Sequence, residues 1–191
     1  MNRLLKILLA AAIVLVSALV GYLAMQKFFN HTPAPAVLAD WRSRQLAGLT
    51  LEAPGDFQSQ PMNFGSAQDF VESAEMHVFK GKSIEIDVLR TVYKSDIELN
   101  FDGAVQGAGD GIARLDGVRN LRQTATDLTI SGKPARRLSV TAERWRKTLR
   151  VELLIIADGQ TYFQVQAIFD AGNPQGAADA ERLLHSVSLT P

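Results

Sequence analysis

The side chains best suited to chemistry in this chain are three histidines, and they are scattered. His31, His77 and His185 lie far apart, and no two of them have the short spacing of a metal-binding motif. The 191 residues include no cysteine, which excludes disulfides, thiolate nucleophiles and cysteine-based metal sites. No serine lies in a Gly-x-Ser-x-Gly motif, so the sequence gives no support for a hydrolase triad. We therefore expect a protein that is not an enzyme and that holds no cofactor and no metal.

The glycine-rich segment 107–111 is the nearest approach to a ligand-binding loop. A phosphate-binding loop would follow a strand and end in Lys-Ser or Lys-Thr, and this segment does neither. We interpret its glycines as positions in a helix or loop that packs closely against the rest of the protein. The formal net charge of zero also argues against nucleic acid as a main partner.

One segment has an unusually high density of basic residues and is a candidate binding site. From Lys133 to Arg150 there are seven basic residues and one acid, Glu143. A basic hairpin tip with an exposed tryptophan is suited to an acidic protein partner or to anionic lipid headgroups. The alternative is an ordinary surface, on which Glu143 and Glu152 offset the arginines and the basic side chains discourage strand aggregation. The candidate interaction surface consists of Arg137, Arg144, Trp145, Arg146, Lys147 and Arg150.

The N-terminal segment is the part of the sequence that indicates the cellular location of the protein. Residues 7–25 carry no charge, and nineteen residues of helix span about 28 Å, close to the thickness of a bilayer core. We expect an uncleaved membrane anchor over 1–27, with a cleaved signal peptide as the alternative. Two basic residues precede the apolar run and one follows it, so we expect the rest of the chain on the periplasmic or exterior side of the inner membrane.

The remaining chain divides into a linker with a short helix, 28–47, and a folded domain, 48–191. Pro35 and Gly48 are placed to begin and end a helix over 35–47. Within the domain we predict helices from Ser66, from Ser95 and from Pro174, the last one capped by Asn173. The predicted strands are 49–51, 76–79, 84–93, 121–130, 134–143, 149–156, 163–169 and 186–189.

Alternation in the last long strands predicts one apolar sheet face. Leu138, Leu149 and Leu153 fall on that face, and Phe163 and Val165 join them if the turn after Ile156 has an odd length. A three-residue loop, 157–159, with Gly159 left-handed, satisfies this condition. The opposite face would carry polar residues: Arg137, Ser139, Thr141, Arg150, Glu152, Tyr162, Gln164 and Gln166.

The order of these elements resembles the PsbP/DcrB-like superfamily. The resemblance rests on the opening Leu-Thr-Leu-Glu-Ala-Pro-Gly-Asp-Phe at 49–57 and on the ending Asn-Pro…Ala-Glu-Arg-Leu-Leu-His-Ser-Val at 173–187, and it spans 48–189. It implies an α+β fold in which an antiparallel sheet is flanked by helices, an α/β/α sandwich, behind the single N-terminal transmembrane helix. It also implies an accessory or binding module without a shared catalytic set. We therefore expect a membrane-anchored envelope domain that binds a protein partner. The alternative is a secreted or lipid-surface-binding module that uses the basic hairpin 144–147.

Overall fold

The computed structural model describes residues 41–62, 64–145 and 147–190. The strands are β1 Trp41–Leu46, β2 Leu49–Pro54, β3 Gln58–Gln60, β4 Val71–Lys80, β5 Glu85–Tyr93, β6 Val118–Ile130, β7 Lys133–Arg144, β8 Lys147–Asp158, β9 Thr161–Asp170 and β10 Ser188–Leu189. The α-helices are α1 Phe101–Ala113 and α2 Pro174–His185, and a 3-10 helix covers Gly65–Phe70. The predicted membrane helix over 7–25 lies outside these ranges. No helix within them is long and apolar enough to cross a bilayer.

The strands form two antiparallel sheets. The larger has seven strands in the order β3-β4-β5-β9-β8-β7-β6, and the smaller has the order β1-β2-β10. Consecutive strands β6 to β9 form a meander, whereas the β5–β9 pair joins distant parts of the chain. The predicted α+β class with an antiparallel sheet is confirmed.

Both faces of the large sheet are apolar, which corrects the prediction of a single apolar face. The turn between β8 and β9 has two residues, Gly159 and Gln160, because Asp158 pairs with Thr161. Leu154 therefore lies beside Val165, while Leu153 lies beside Gln166 on the other face. A turn one residue shorter than predicted moved every β9 side chain to the opposite face. Tyr162, Gln164 and Gln166 accordingly lie on the face of Leu153, away from Arg137 and Glu152.

One face, here called the α2 face, packs on α2 and on the small sheet. Leu183 of α2 and Leu51 of β2 meet Val165 and Phe169 in one buried cluster. Asn173 caps α2 as predicted, since its Oδ1 accepts from Gln175 N at 3.1 Å. The helix begins at Pro174, and no hydrogen bond is lost there because the N–H of the first helical residue has no partner within the helix.

The other face, here called the α1 face, packs on α1. Val105, Ala108 and Ile112 of the helix contact strand residues such as Val140 and Leu153. The helix starts at Phe101, later than the predicted capping box at Ser95, because Asn100 Oδ1 accepts from Gly103 N at 3.0 Å. The close approach predicted for the glycines is found at Gly109, where a Cβ would collide with the side chain of Gln123 in β6.

The helix predicted over 35–47 is wrong where the structure describes it, since 41–46 form β1. Ala47 and Gly48 have φ of 53° and 78° and connect β1 to β2 in a two-residue turn. Gly48 is therefore a hairpin residue and not the end of a helix. A strand prevails here because Leu46 packs into the buried cluster of the α2 face, with Leu49 as its cross-strand partner.

Candidate interaction surface

The hairpin between β7 and β8 presents Trp145 at its tip. Arg144 pairs with Lys147, so the turn has two residues, of which the structure describes Trp145. The φ of Trp145 is 46°, in the left-handed region that a large side chain seldom adopts. The exposed fraction of Trp145 is 55%. Tryptophan is enriched at protein interfaces, so this half-exposed indole is the candidate contact residue of the hairpin.

Two neighbours hold the indole in place. The guanidinium carbon of Arg144 lies 4.2 Å from the centre of the Trp145 ring. The indole also lies against the turn between α1 and β6, where a Cβ on Gly117 would lie 2.8 Å from Trp145 Cδ1. The φ of Gly117 is 76°, so both its conformation and this contact require glycine. The indole therefore has contacts with both the Arg144 guanidinium and the α1–β6 turn. We call this group, Arg144, Trp145, Asp116 and Gly117, the Trp145 platform.

Arg144 is not part of an exposed basic tip, which corrects the sequence prediction. It is 3% exposed, and its Nε donates to the Asp116 carbonyl oxygen at 2.8 Å. Its charge therefore supports the platform and does not face solvent. Lys147 is exposed, and Arg146 lies outside the described residues. Alternation does not predict this burial, because it depends on the α1–β6 turn packing against the hairpin.

Arg137 and Arg150 lie on the α2 face and converge on Glu152. Arg137 Nε donates to Glu152 Oε2 at 2.8 Å, and Arg150 Nε donates to Glu152 Oε1 at 2.6 Å. Ser139 Oγ adds a third hydrogen bond, at 2.6 Å. The Glu152 side chain is 1% exposed, so its charge is buried but fully compensated.

The same network reaches helix α2. Arg137 also donates to Glu181, whose pKa is held below its usual value by these hydrogen bonds and by the positive charge. The hydrogen bond to Glu181 in turn raises the pKa of Arg137. Arg137 thus ties α2 to the sheet. The five described residues of the predicted surface therefore fall into separate groups. Arg144 and Trp145 belong to the platform, Arg137 and Arg150 belong to the Glu152 network, and Lys147 is exposed beside the tip.

The histidines and acidic residues were the other candidates for a site. Within the described ranges no three His, Asp or Glu side chains are grouped so that they could hold an ion. His77 lies 3.4 Å from Ser59 Oγ and 3.6 Å from Glu75, and His185 faces Glu181 at 3.4 Å. His31 lies outside the described residues. The histidines of the domain therefore have ordinary surface contacts.

Sequence reasoning missed a buried polar strip on the α1 face. Glu85 and Asp87 alternate with apolar residues and suggested a solvent-facing row, yet they are 3% and 2% exposed. Gln166 of β9 donates to Asp87 Oδ2 at 3.3 Å, and Lys80 lies 3.8 Å from Glu85. The signal that could reveal this strip is the pairing of β5 with β9, which a single sequence does not specify.

Comparison with known proteins identifies the fold. The sequence matches no family model and no curated protein. The cyanobacterial PsbP protein CyanoP from Synechocystis sp. PCC 6803 is similar, with a TM-score of 0.54 and 10% identity over 84% of this chain and 98% of that one. LpqN of Mycobacterium tuberculosis, involved in cell envelope biogenesis, has a TM-score of 0.46 and 16% identity, covering 86% of this chain and 94% of its own. The Ran-binding protein Mog1p of Saccharomyces cerevisiae has a TM-score of 0.46 and 9% identity, covering 79% and 96%.

Proposed function

We propose that this PsbP-like domain is a non-catalytic binding module whose Trp145 platform contacts a protein partner. The observation that carries the proposal is the half-exposed indole of Trp145, which contacts both the Arg144 guanidinium and the turn at Gly117. Tryptophan is among the residues that contribute most to protein interfaces. An aromatic side chain that is already ordered loses little conformational entropy on binding, so the platform is suited to this use.

We further propose that residues 7–25 anchor the chain in the cytoplasmic membrane with the domain outside. The support is the uncharged apolar run and the basic residues that precede it. An anchored full-length chain resists extraction by alkaline carbonate, and a phosphatase reporter fused after Pro191 is active on the periplasmic side. Extraction of the chain into the soluble fraction, or an inactive reporter in a stable fusion, would contradict this placement.

Photo-crosslinking in intact cells tests the platform. A photoreactive amino acid at Lys147 lies beside Trp145, whereas one at Lys133 follows the two-residue turn at the other end of β7. We expect a discrete adduct from Lys147 that disappears when Trp145 is changed to Ala, and no such adduct from Lys133. Adducts that are equal from both positions, or unaffected by Trp145→Ala, would contradict the proposal.

A lipid surface is the second candidate partner, since tryptophan is common at membrane interfaces. The burial of Arg144 weakens this alternative, because it removes one positive charge from the exposed tip. Liposome flotation of the full chain does not distinguish a lipid surface from a protein partner, since the proposed anchor would itself bind lipid. Crosslinking from Lys147 to a lipid analogue instead of a protein would favour the membrane.

A further inference from the structure

Strand β6 forms a long edge of the large sheet. It has 13 residues, and the eight consecutive residues 122–129 are all exposed. The opposite edge, β3, has three residues. An unprotected edge strand presents unpaired N–H and C=O groups to other chains. This edge is irregular at one end, where the register shifts between Arg119 and Arg122, and regular from there to Ile130.

The hairpin geometry defines which backbone groups face outward. Ser131 and Gly132 have φ of 51° and 78°, so the turn is of the type that makes Ile130 and Lys133 a hydrogen-bonded pair. Bonded and non-bonded pairs then alternate along the ladder. Pro134, which lacks an N–H, falls opposite Thr129 in a non-bonded pair, as this assignment requires. The residues whose N–H and C=O point away from β7 are Gln123, Ala125, Asp127 and Thr129.

We propose that two copies of this chain pair their β6 strands antiparallel about a two-fold axis at Thr126. In this register Gln123 bonds to Thr129 of the second copy and Ala125 bonds to Asp127. All four outward residues of each strand are then paired, which gives about eight intermolecular hydrogen bonds. The paired segment is 122–130, which avoids the irregular end of the strand.

The side chains of this segment favour a second copy of the chain as the occupant. The segment carries one positive and one negative charge, Arg122 and Asp127, so two copies have no net repulsion. In the proposed register Arg122 lies opposite Ile130 and Leu128 opposite Thr124, and no like charges face each other. Leu128 is 40% exposed in the single chain and becomes partly covered by this pairing. Each residue of 122–129 is exposed, although α1 approaches the segment at Gln123, whose side chain lies close to Gly109.

The absence of cysteine makes disulfide trapping a direct test. Thr126→Cys places two thiols opposite each other on the two-fold axis. The two cysteines form a non-hydrogen-bonded pair, in which opposite side chains are closest, with Cβ atoms about 4.5–5.5 Å apart. Thr124→Cys is the matched control, because it lies on the same face but its two copies are offset by four residues, about 13 Å. In the full-length chain under mild oxidation, we expect a disulfide dimer from Thr126→Cys and background dimer from Thr124→Cys. Equal yields from both variants, or no dimer from either, would overturn the proposal.

A second pair of variants separates pairing from folding. Ala125→Pro removes an outward N–H and leaves the bonds between β6 and β7 in place, so it should abolish the Thr126→Cys dimer. Thr126→Lys puts two ammonium groups together at the axis and should convert the full-length protein in mild detergent from dimer to monomer. A thermal melt that retains its cooperativity shows that the domain is folded in either variant. A dimer that persists in the folded Thr126→Lys variant would refute the register.

Discussion

The guanidinium carbon of Arg144 lies 4.2 Å from the centre of the Trp145 ring, and the same guanidinium donates to the Asp116 carbonyl oxygen. A buried arginine thus connects an exposed tryptophan to the turn that follows α1. Because the two residues are adjacent in the chain, their side chains would normally leave the strand in opposite directions. The positive φ of Trp145 turns the indole back over Arg144. The platform therefore depends on the hairpin turn as much as on the side chains.

Replacing Arg144 should destabilise the domain more than replacing Trp145. Arg144→Ala loses the cation–π contact and leaves the Asp116 carbonyl without its donor, at a cost of about 2 kcal/mol. Trp145→Ala loses the same cation–π contact and the packing of the buried part of the indole, at a cost of about 1 kcal/mol. Urea unfolding of the two variants measures the difference. Equal losses, or a larger loss for Trp145→Ala, would mean that Arg144 does not support the platform.

Gly117→Ala should be more damaging than Gly132→Ala, although the two glycines have nearly the same φ, 76° and 78°. The left-handed conformation costs alanine about 1 kcal/mol at either position. At Gly132 a Cβ would find no atom within 4 Å, whereas at Gly117 it would collide with the indole of Trp145. We expect an additional loss of stability at Gly117, largely restored by Trp145→Ala in the same chain. Equal melting temperatures for the two single variants would contradict this reading.

Glu152→Ala and Glu181→Ala remove two acceptors of the same arginine, Arg137, but should differ strongly. The Glu152 side chain is 1% exposed and also accepts from Arg150, so its loss removes the acceptor of Arg150 and leaves Arg137 with Glu181 alone. The side chains of Arg137 and Arg150 are 21% and 45% exposed, so the expected loss is that of hydrogen bonds to a buried charged acceptor, about 2–3 kcal/mol. Glu181 is 48% exposed, and solvent screening limits its contribution to less than about 1 kcal/mol. Chemical denaturation of both variants provides the comparison, and similar losses would place the network closer to solvent than described.

Stability should fall in alkaline solution because of two buried tyrosines. Burial raises the pKa of Tyr162 from 10.0 to about 12 and raises that of its neighbour Tyr93 further, their ring centres being 5.7 Å apart. The unfolded chain then loses protons before the folded one, so the stabilisation is complete below pH 10 and decreases as the pH rises toward 12. Tyr162→Phe should weaken this dependence. The urea midpoint measured between pH 9 and pH 11.5, in both proteins, gives the slope; identical slopes would exclude a contribution from Tyr162.

The sequence predicts local features of this fold well and the pairing of distant segments poorly. Asn173 as a cap, a turn between the strands predicted over 121–130 and 134–143, and the exposure of Trp145 follow from residue type and spacing. The sheet faces did not follow, because the two-residue turn after Asp158 replaces the predicted loop 157–159 and reverses every β9 side chain. The burial of Asp87 depends on its partner Gln166, which is 79 residues away. Such partners are chosen by packing and not by local propensity.

The strand order also constrains when the domain can fold. Strands β6 to β9 are each joined to the next by a turn, so this meander forms from contacts close in sequence. The pairing of β5 with β9, for example Val88 with Val165, closes a loop of more than seventy residues. Strand β2 can pair with β10 only after Ser188 and Leu189 have been synthesised. Long loops are closed late because their entropy is lost before their contacts are gained. During synthesis, β2 and β5 therefore remain without these partners until nearly the whole chain has left the ribosome, and the early strands must be kept from pairing elsewhere.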